Sequence, residues 1–228
     1  MVNYIAVILQ KSSRFFNFFV YSWLFKRLIM GNKKTKMKLT EEERRTLKEG
    51  LPGFLNDFWQ AYYTEREVPV DIIKILKRMN FSVYYGKLPD AYDGFVMIDE
   101  NVSAIKGLKN NKIVVANSKR SYESVMFTLA HELAHYLSQK WLNHNDKDHK
   151  VQLEFRERTN KGERDETENL MDFIAASILM PEEEFKKHLE EKNITSLESA
   201  QSSDIEELAS IYDTEYEAVR RRIKEVLP

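Results

Sequence analysis

Three residues with the means to do chemistry fall within five positions in "FTLAHELAHYLSQ" (127–139): His131, Glu132 and His135. Residues four apart on an α-helix share a face one turn apart, so the two imidazoles can point at a common position. That spacing is the one a zinc-binding helix uses. Glu132 lies ~100° round the helix from His131. Such an offset places a carboxylate beside a metal-activated water, as a general base, rather than on the metal. The alternative is an amphipathic helix that contains two core histidines.

A catalytic zinc takes three protein ligands and keeps one position open. The chain has no cysteine, which excludes disulfides and thiolate metal sites and fits a reducing compartment. The third ligand is therefore His, Asp or Glu, and Glu168 in "ENLMDFIAASILMP" (168–181) is the best placed. On a helix Glu168, Asp172, Ala175 and Leu179 share a face. The small side chains of Ala175 and Ala176 would let that helix approach the one bearing His131. Glu168 then ligates, and Asp172 accepts the second N–H of a ligand histidine. Without the upstream motif, both carboxylates would read as the solvated first turn of a core helix, stabilised by its dipole.

The elements that must position these residues can be read along the chain. Thr40 and Glu43 have capping-box spacing ahead of "EEERRTLKEGL", which runs on to the breakers Pro52 and Gly53. "FLNDFWQAYYTE" reads as a separate helical stretch. In "VDIIKILKRM", Ile72, Ile73, Leu76 and Met79 are spaced for one buried face. Three β-like runs follow: "FSVYYG" (81–86), "GFVMID" (94–99) and "KIVVAN" (112–117). The motif helix covers 121–139, and the polar residues 143–168 read mostly as loop. The 168–181 helix is terminated by Pro181. Further helices are expected near 182–192, 204–212 and 215–226, the last with Thr214 and Glu217 at capping-box spacing. The expected class is α+β, mostly helical, with a small three-stranded sheet.

Charge divides the chain unevenly. Residues 1–40 carry eight Lys or Arg and no acidic residue, leaving 27 basic against 36 acidic side chains in 41–228. A net −9 over the body argues against direct nucleic-acid binding, which needs clustered cations. "DIEELASIYDTEYEAVRRRI" has a helix–turn–helix cadence, yet its acidic content favours a structural or partner-docking role. Residues 1–37 form a basic, apolar extension ahead of a domain over 38–228. The uncharged run Phe15–Phe25 is shorter than the ~20 residues a spanning helix needs, and no small-residue cleavage site follows it. The extension reads as a membrane-surface segment giving weak membrane contact, as an extra helix packed on the body, or as translation from an upstream start ahead of Met30 or Met37. The expected location is cytoplasmic, with membrane association only through this extension.

"FTLAHELAHYL", followed 33 residues after His135 by "ENLMDFIAASILMP", resembles the ImmA/IrrE family of metallopeptidases. Members of that family combine a HExxH helix with a later E-x-x-A-[ND]-x-F-A-A-x-L-L-M-P stretch. The resemblance extends through "VPVDIIKILKRMNFSVYY", "KIVVAN" and the C-terminal helical region, covering about Pro69 to Leu227. Met171 and Ile174 depart from the usual Ala and Phe, and Phe173 fills a variable position. The resemblance implies a zincin-like domain with one Zn2+ per chain held by His131, His135 and Glu168. It also implies Glu132 as base and proton shuttle, with Asp172 at the Asn/Asp position. It further implies a site-specific endopeptidase whose protein substrate is a helix-turn-helix repressor of a mobile element or stress response. The competing function is a non-catalytic binding module, or a toxin–antitoxin component, that sequesters a repressor. An oxyanion-stabilising residue is also required, and Tyr136, Arg120, Arg156 and His149 are the options. His144, His149 and His188 otherwise read as surface histidines.

Overall fold

The computed structural model describes residues 39–65, 67–98, 111–142, 152–157 and 166–227, with backbone alone over 152–157. The N-terminal extension, His144 and His149 lie outside these residues. Helix α1 (Glu41–Tyr62) opens with the expected capping box: Glu43 N–H donates to Thr40 Oγ1 at 3.2 Å, and Thr40 N–H donates to the Glu43 carboxylate at 2.7 Å. Pro52 and Gly53 do not end it. A helix-interior proline costs about 3 kcal/mol. Burying Leu47, Leu51, Phe58 and Trp59 on the inner face is worth roughly 1.5–3 kcal/mol for each side chain. Packing therefore outweighs the breaker. Pro52 and Gly53 lie on the exposed side, where water can take the carbonyl that Pro52 leaves without a donor.

Helix α2 (Ile72–Arg78) buries Ile72, Ile75 and Leu76, so Ile75, rather than the expected Ile73, lies on its inner face. Strands β1 (Phe81–Gly86), β2 (Tyr92–Ile98) and β3 (Lys112–Asn117) match the three expected runs. A fourth strand, β4 (Gln152–Glu157), lies within the stretch read mostly as loop. The sheet order is β1-β3-β2-β4, with β1 parallel to β3 and β2 antiparallel to both its neighbours. "QLEFRE" alternates Leu153 and Phe155 with polar residues, a period-two strand signal set within a strongly charged stretch; its pairing with β2 makes it a strand.

Helix α3 (Tyr122–Leu142) crosses from β3 to β4 and lies against β2, β3 and β4 on one side and α4 (Glu166–Leu179) on the other. It is buried almost all round, from Val125 through His135, as expected for a helix enclosed on several sides. Gly94 in β2 makes the close approach to the sheet possible: a Cβ there would collide with Thr128 Cγ2 and sit 2.7 Å from the Val115 carbonyl oxygen. At the far end of α3, Trp141 stacks on Phe54 of α1 with centroids 4.8 Å apart. The start of α4 is held by an Arg44–Glu166 ion pair and by Leu39 N–H donating to Thr167 Oγ1 at 3.1 Å.

Helices α5 (Glu182–Glu191), α6 (Ser202–Ile211) and α7 (Tyr216–Val226) complete the chain. Thr214 does not cap α7. It is buried, its N–H donates to Ala209 O, and Glu215 takes the cap position without a side-chain bond. His188 is half-buried and shares a 2.8 Å hydrogen bond with the buried Tyr212 hydroxyl, so it is part of the packing rather than free surface. Among the described residues no helix is long and apolar enough to cross a membrane.

On α7, Arg222 is 3% exposed, donates through Nε to Met180 O at 3.2 Å and pairs with Glu225 at 3.2 Å. Burial outweighs that pairing and lifts the Glu225 carboxyl from 4.5 to about 7. A carboxyl raised in the folded state binds more protons there than in the unfolded chain, so its contribution to stability falls as pH rises between the two values. Glu225→Gln should therefore gain on wild type as pH rises from about 4.5 to 7, by up to about 3 kcal/mol. Denaturation of both proteins across this range checks it, and a pH-independent difference would refute the assignment. Gly94→Ala should cost about 1–3 kcal/mol through overpacking. Gly53→Ala, which meets nothing within 4 Å, should be neutral or stabilising by up to about 1 kcal/mol.

Candidate metal centre

Helix α3 supplies His131, Glu132 and His135, and α4 supplies Glu168 and Asp172. The two helices meet through small or flexible residues: Ala130, Ala134, Ala175 and Ala176 are fully buried, and Ser138 Oγ lies 3.5 Å from Met171 Sδ. The unusual Met171 is thus accommodated by its own flexibility. This close contact brings five ionisable side chains into the core: His131 is 1% exposed, Glu132 0%, His135 2%, Glu168 9% and Asp172 1%.

Their polar atoms are arranged in order. His131 Nδ1 lies 2.8 Å from Asp172 Oδ1. An ionised carboxylate only accepts, so the imidazole carries its proton on Nδ1 and presents Nε2 as a lone pair. His131 Nε2 is 3.1 Å from His135 Nε2 and 3.3 Å from Glu168 Oε2, and His135 Nε2 is 3.8 Å from Glu168 Oε1. Among the described residues, His131, His135 and Glu168 are the group whose donor atoms converge closely enough to hold a metal ion, all within 4.8 Å of one another.

The donor set fits zinc. Tetrahedral bonds of about 2.0–2.1 Å place neighbouring ligand atoms ~3.3–3.4 Å apart, and the observed separations of 3.1, 3.3 and 3.8 Å bracket that edge. Two imidazoles and one carboxylate suit a borderline cation and, without cysteine, leave no thiolate competitor. Glu168 also sits in the first turn of α4, where the helix dipole favours its negative charge.

The remaining predicted residues divide clearly. Glu132 is fully buried next to His131 in the chain and is not one of the three converging donors. Arg120 is committed elsewhere: Nε donates to Asp93 at 2.7 Å and Nη2 to the Asp90 carbonyl at 2.6 Å. The Tyr136 hydroxyl accepts from Lys112 Nζ at 2.7 Å, and its ring packs edge-on to Phe81 in β1. The Arg156 side chain and His149 lie outside the described residues.

Sequence reasoning missed Arg221. Its Nη1 donates to Asp172 Oδ2 at 2.8 Å from a residue 49 positions away. The available signal was the helical period of α7, in which Ala218, Val219, Arg222, Ile223 and Val226 are buried. That face draws the arginine run against α4.

Among solved structures, the chain is similar to a Mycobacterium tuberculosis transcriptional regulator at 15% identity, over 81% of this chain and 51% of that one, with a TM-score of 0.49. It spans about half the length of that protein. No curated protein matches it significantly. Residues 79–224 match the IrrE N-terminal-like domain, a span that begins just before β1, includes α3 and α4 with all five site residues, and ends within α7. The chain belongs to the IrrE N-terminal-like domain family, the metallopeptidases of family M78.

Proposed function

We propose that this protein is a zinc-dependent, site-specific endopeptidase that cleaves a helix-turn-helix transcriptional repressor, and so acts as an anti-repressor of a mobile element or stress response. The observation that carries the chemistry is the convergence of His131, His135 and Glu168 donor atoms beside Glu132 in a buried contact between α3 and α4. The substrate class is supported by the resemblance to the ImmA/IrrE family. The absence of cysteine supports a cytoplasmic setting. Residues 1–37 are assigned to a separate extension, and 38–228 to the peptidase domain.

In this reading His131, His135 and Glu168 are the ligands. Zinc supplies a Lewis acid that polarises a peptide carbonyl and acidifies water. Glu132 takes the proton from the attacking water and later delivers it to the leaving amine nitrogen. Asp172 keeps the His131 proton on Nδ1, so that Nε2 stays available. The enclosed contact between the helices keeps bulk solvent from competing for these groups.

The full-length wild type should bind about one equivalent of zinc, and His135→Ala and Glu168→Ala should lose it. Metal analysis after zinc reconstitution decides this, and a wild type that binds no metal would sink the enzyme reading. Glu132→Gln should retain zinc and lose cleavage of a helix-turn-helix repressor substrate by about 10²–10⁴-fold, the usual range for a general acid–base residue. If that variant inactivates the repressor as well as wild type does, the protein acts by sequestration.

A further inference from the structure

We propose that Arg221, on the C-terminal helix α7, is a positioning residue of the metal centre: it fixes the Asp172 carboxylate so that the carboxylate in turn fixes His131. The inference rests on the metal reading above and extends it to an element that carries no ligand.

The geometry is a three-member chain. His131 Nδ1 lies 2.8 Å from Asp172 Oδ1, and Arg221 Nη1 lies 2.8 Å from Asp172 Oδ2. A carboxylate's terminal torsion is broad and nearly two-fold, so contacts to both oxygens restrain it more than a contact to one. Arg221 supplies a contact to the second oxygen from a different helix. The guanidinium also offsets the burial of a carboxylate that is 1% exposed, which an imidazole N–H cannot do alone.

The three consecutive arginines of α7 have separate tasks. Arg220 reaches back to Glu217 at 3.4 Å on the surface. Arg222 is buried and ties α7 to the end of α4 through Met180 O. Arg221 is 42% exposed along its side chain, yet its inner nitrogen reaches Asp172. The helix that carries it is seated by Val219 and Ile223, both fully buried. Arg221 therefore approaches Asp172 from a fixed base. The centre has one end of its hydrogen-bond chain at the protein surface.

A clip that only held α7 on α4 would show the same contact, so the test must separate orientation from stability. The measurements are zinc affinity of the full-length protein by chelator competition, the visible spectrum of the cobalt(II)-substituted form, and the thermal midpoint of the apoprotein. Removing a partner that touches a ligand histidine typically weakens metal affinity 10–100-fold. Asp172→Asn sets the upper reference, and Arg221→Met, one bond further out, should weaken zinc by about tenfold and alter the cobalt spectrum. Arg221→Lys should recover most of that loss, because the contact uses a single nitrogen that an ammonium can replace. Arg222→Met should lower the midpoint at least as much as Arg221→Met while leaving zinc affinity near wild type.

The proposal is overturned if Arg221→Met binds zinc like wild type, if lysine recovers nothing, or if Arg222→Met loses zinc in proportion to its midpoint. A wild type that binds no zinc would be a different failure, of the metal reading itself, and would take this proposal with it.

Discussion

The structure depends on one constraint: two imidazoles and three carboxylates are buried together where α3 meets α4. Isolated ionised groups in an apolar interior are strongly unfavourable, and they persist only when paired, hydrogen-bonded or coordinated. Here Asp172 is paired, and His131, His135 and Glu168 are gathered as a set of electron-pair donors. Asp172 accepts from His131 and Arg221, and the Nε2 atoms of His131 and His135 face the Glu168 oxygens. A cation among three of them completes the set. The small residues at the contact serve the same end, because larger ones would hold the helices too far apart for the donor atoms to converge.

The surrounding elements maintain that contact. The sheet backs α3 through the gap left by Gly94, α1 grips its far end through Phe54 and Trp141, and Leu39 and Arg44 hold the first turn of α4. Helix α7 closes the last side with one arginine for structure and one on the polar chain. Family membership fits this division. The matched span begins just before the sheet and ends within α7, so it encloses His131, Glu132, His135, Glu168, Asp172 and Arg221.

Much of the site is legible in the sequence. The i, i+4 spacing of His131 and His135, and of Glu168 and Asp172, is a property of helices and needs no tertiary information. The apolar period that made both segments helical is equally local. Capping followed the same logic at Thr40, where Glu43 answers across one turn. It failed at Thr214, where burial of the side chain moved the cap to Glu215. Pro52 misled for a related reason: a breaker is a local penalty, and four buried side chains on the opposite face outweigh it.

What the sequence determined by itself was the set of residues able to share a face and the chemistry they could perform. Their types and spacing are written along single helices. Tertiary structure decided which faces meet. Only the packing of α3 on α4 brings Glu168 to within 3.3 Å of His131, from 37 residues further along the chain. Pairing with β2 turns the polar segment 152–157 into a strand. Packing likewise selects Arg221 from three adjacent arginines to reach Asp172. These outcomes depend on contacts between segments distant in the chain, whose energies are set by shape and burial.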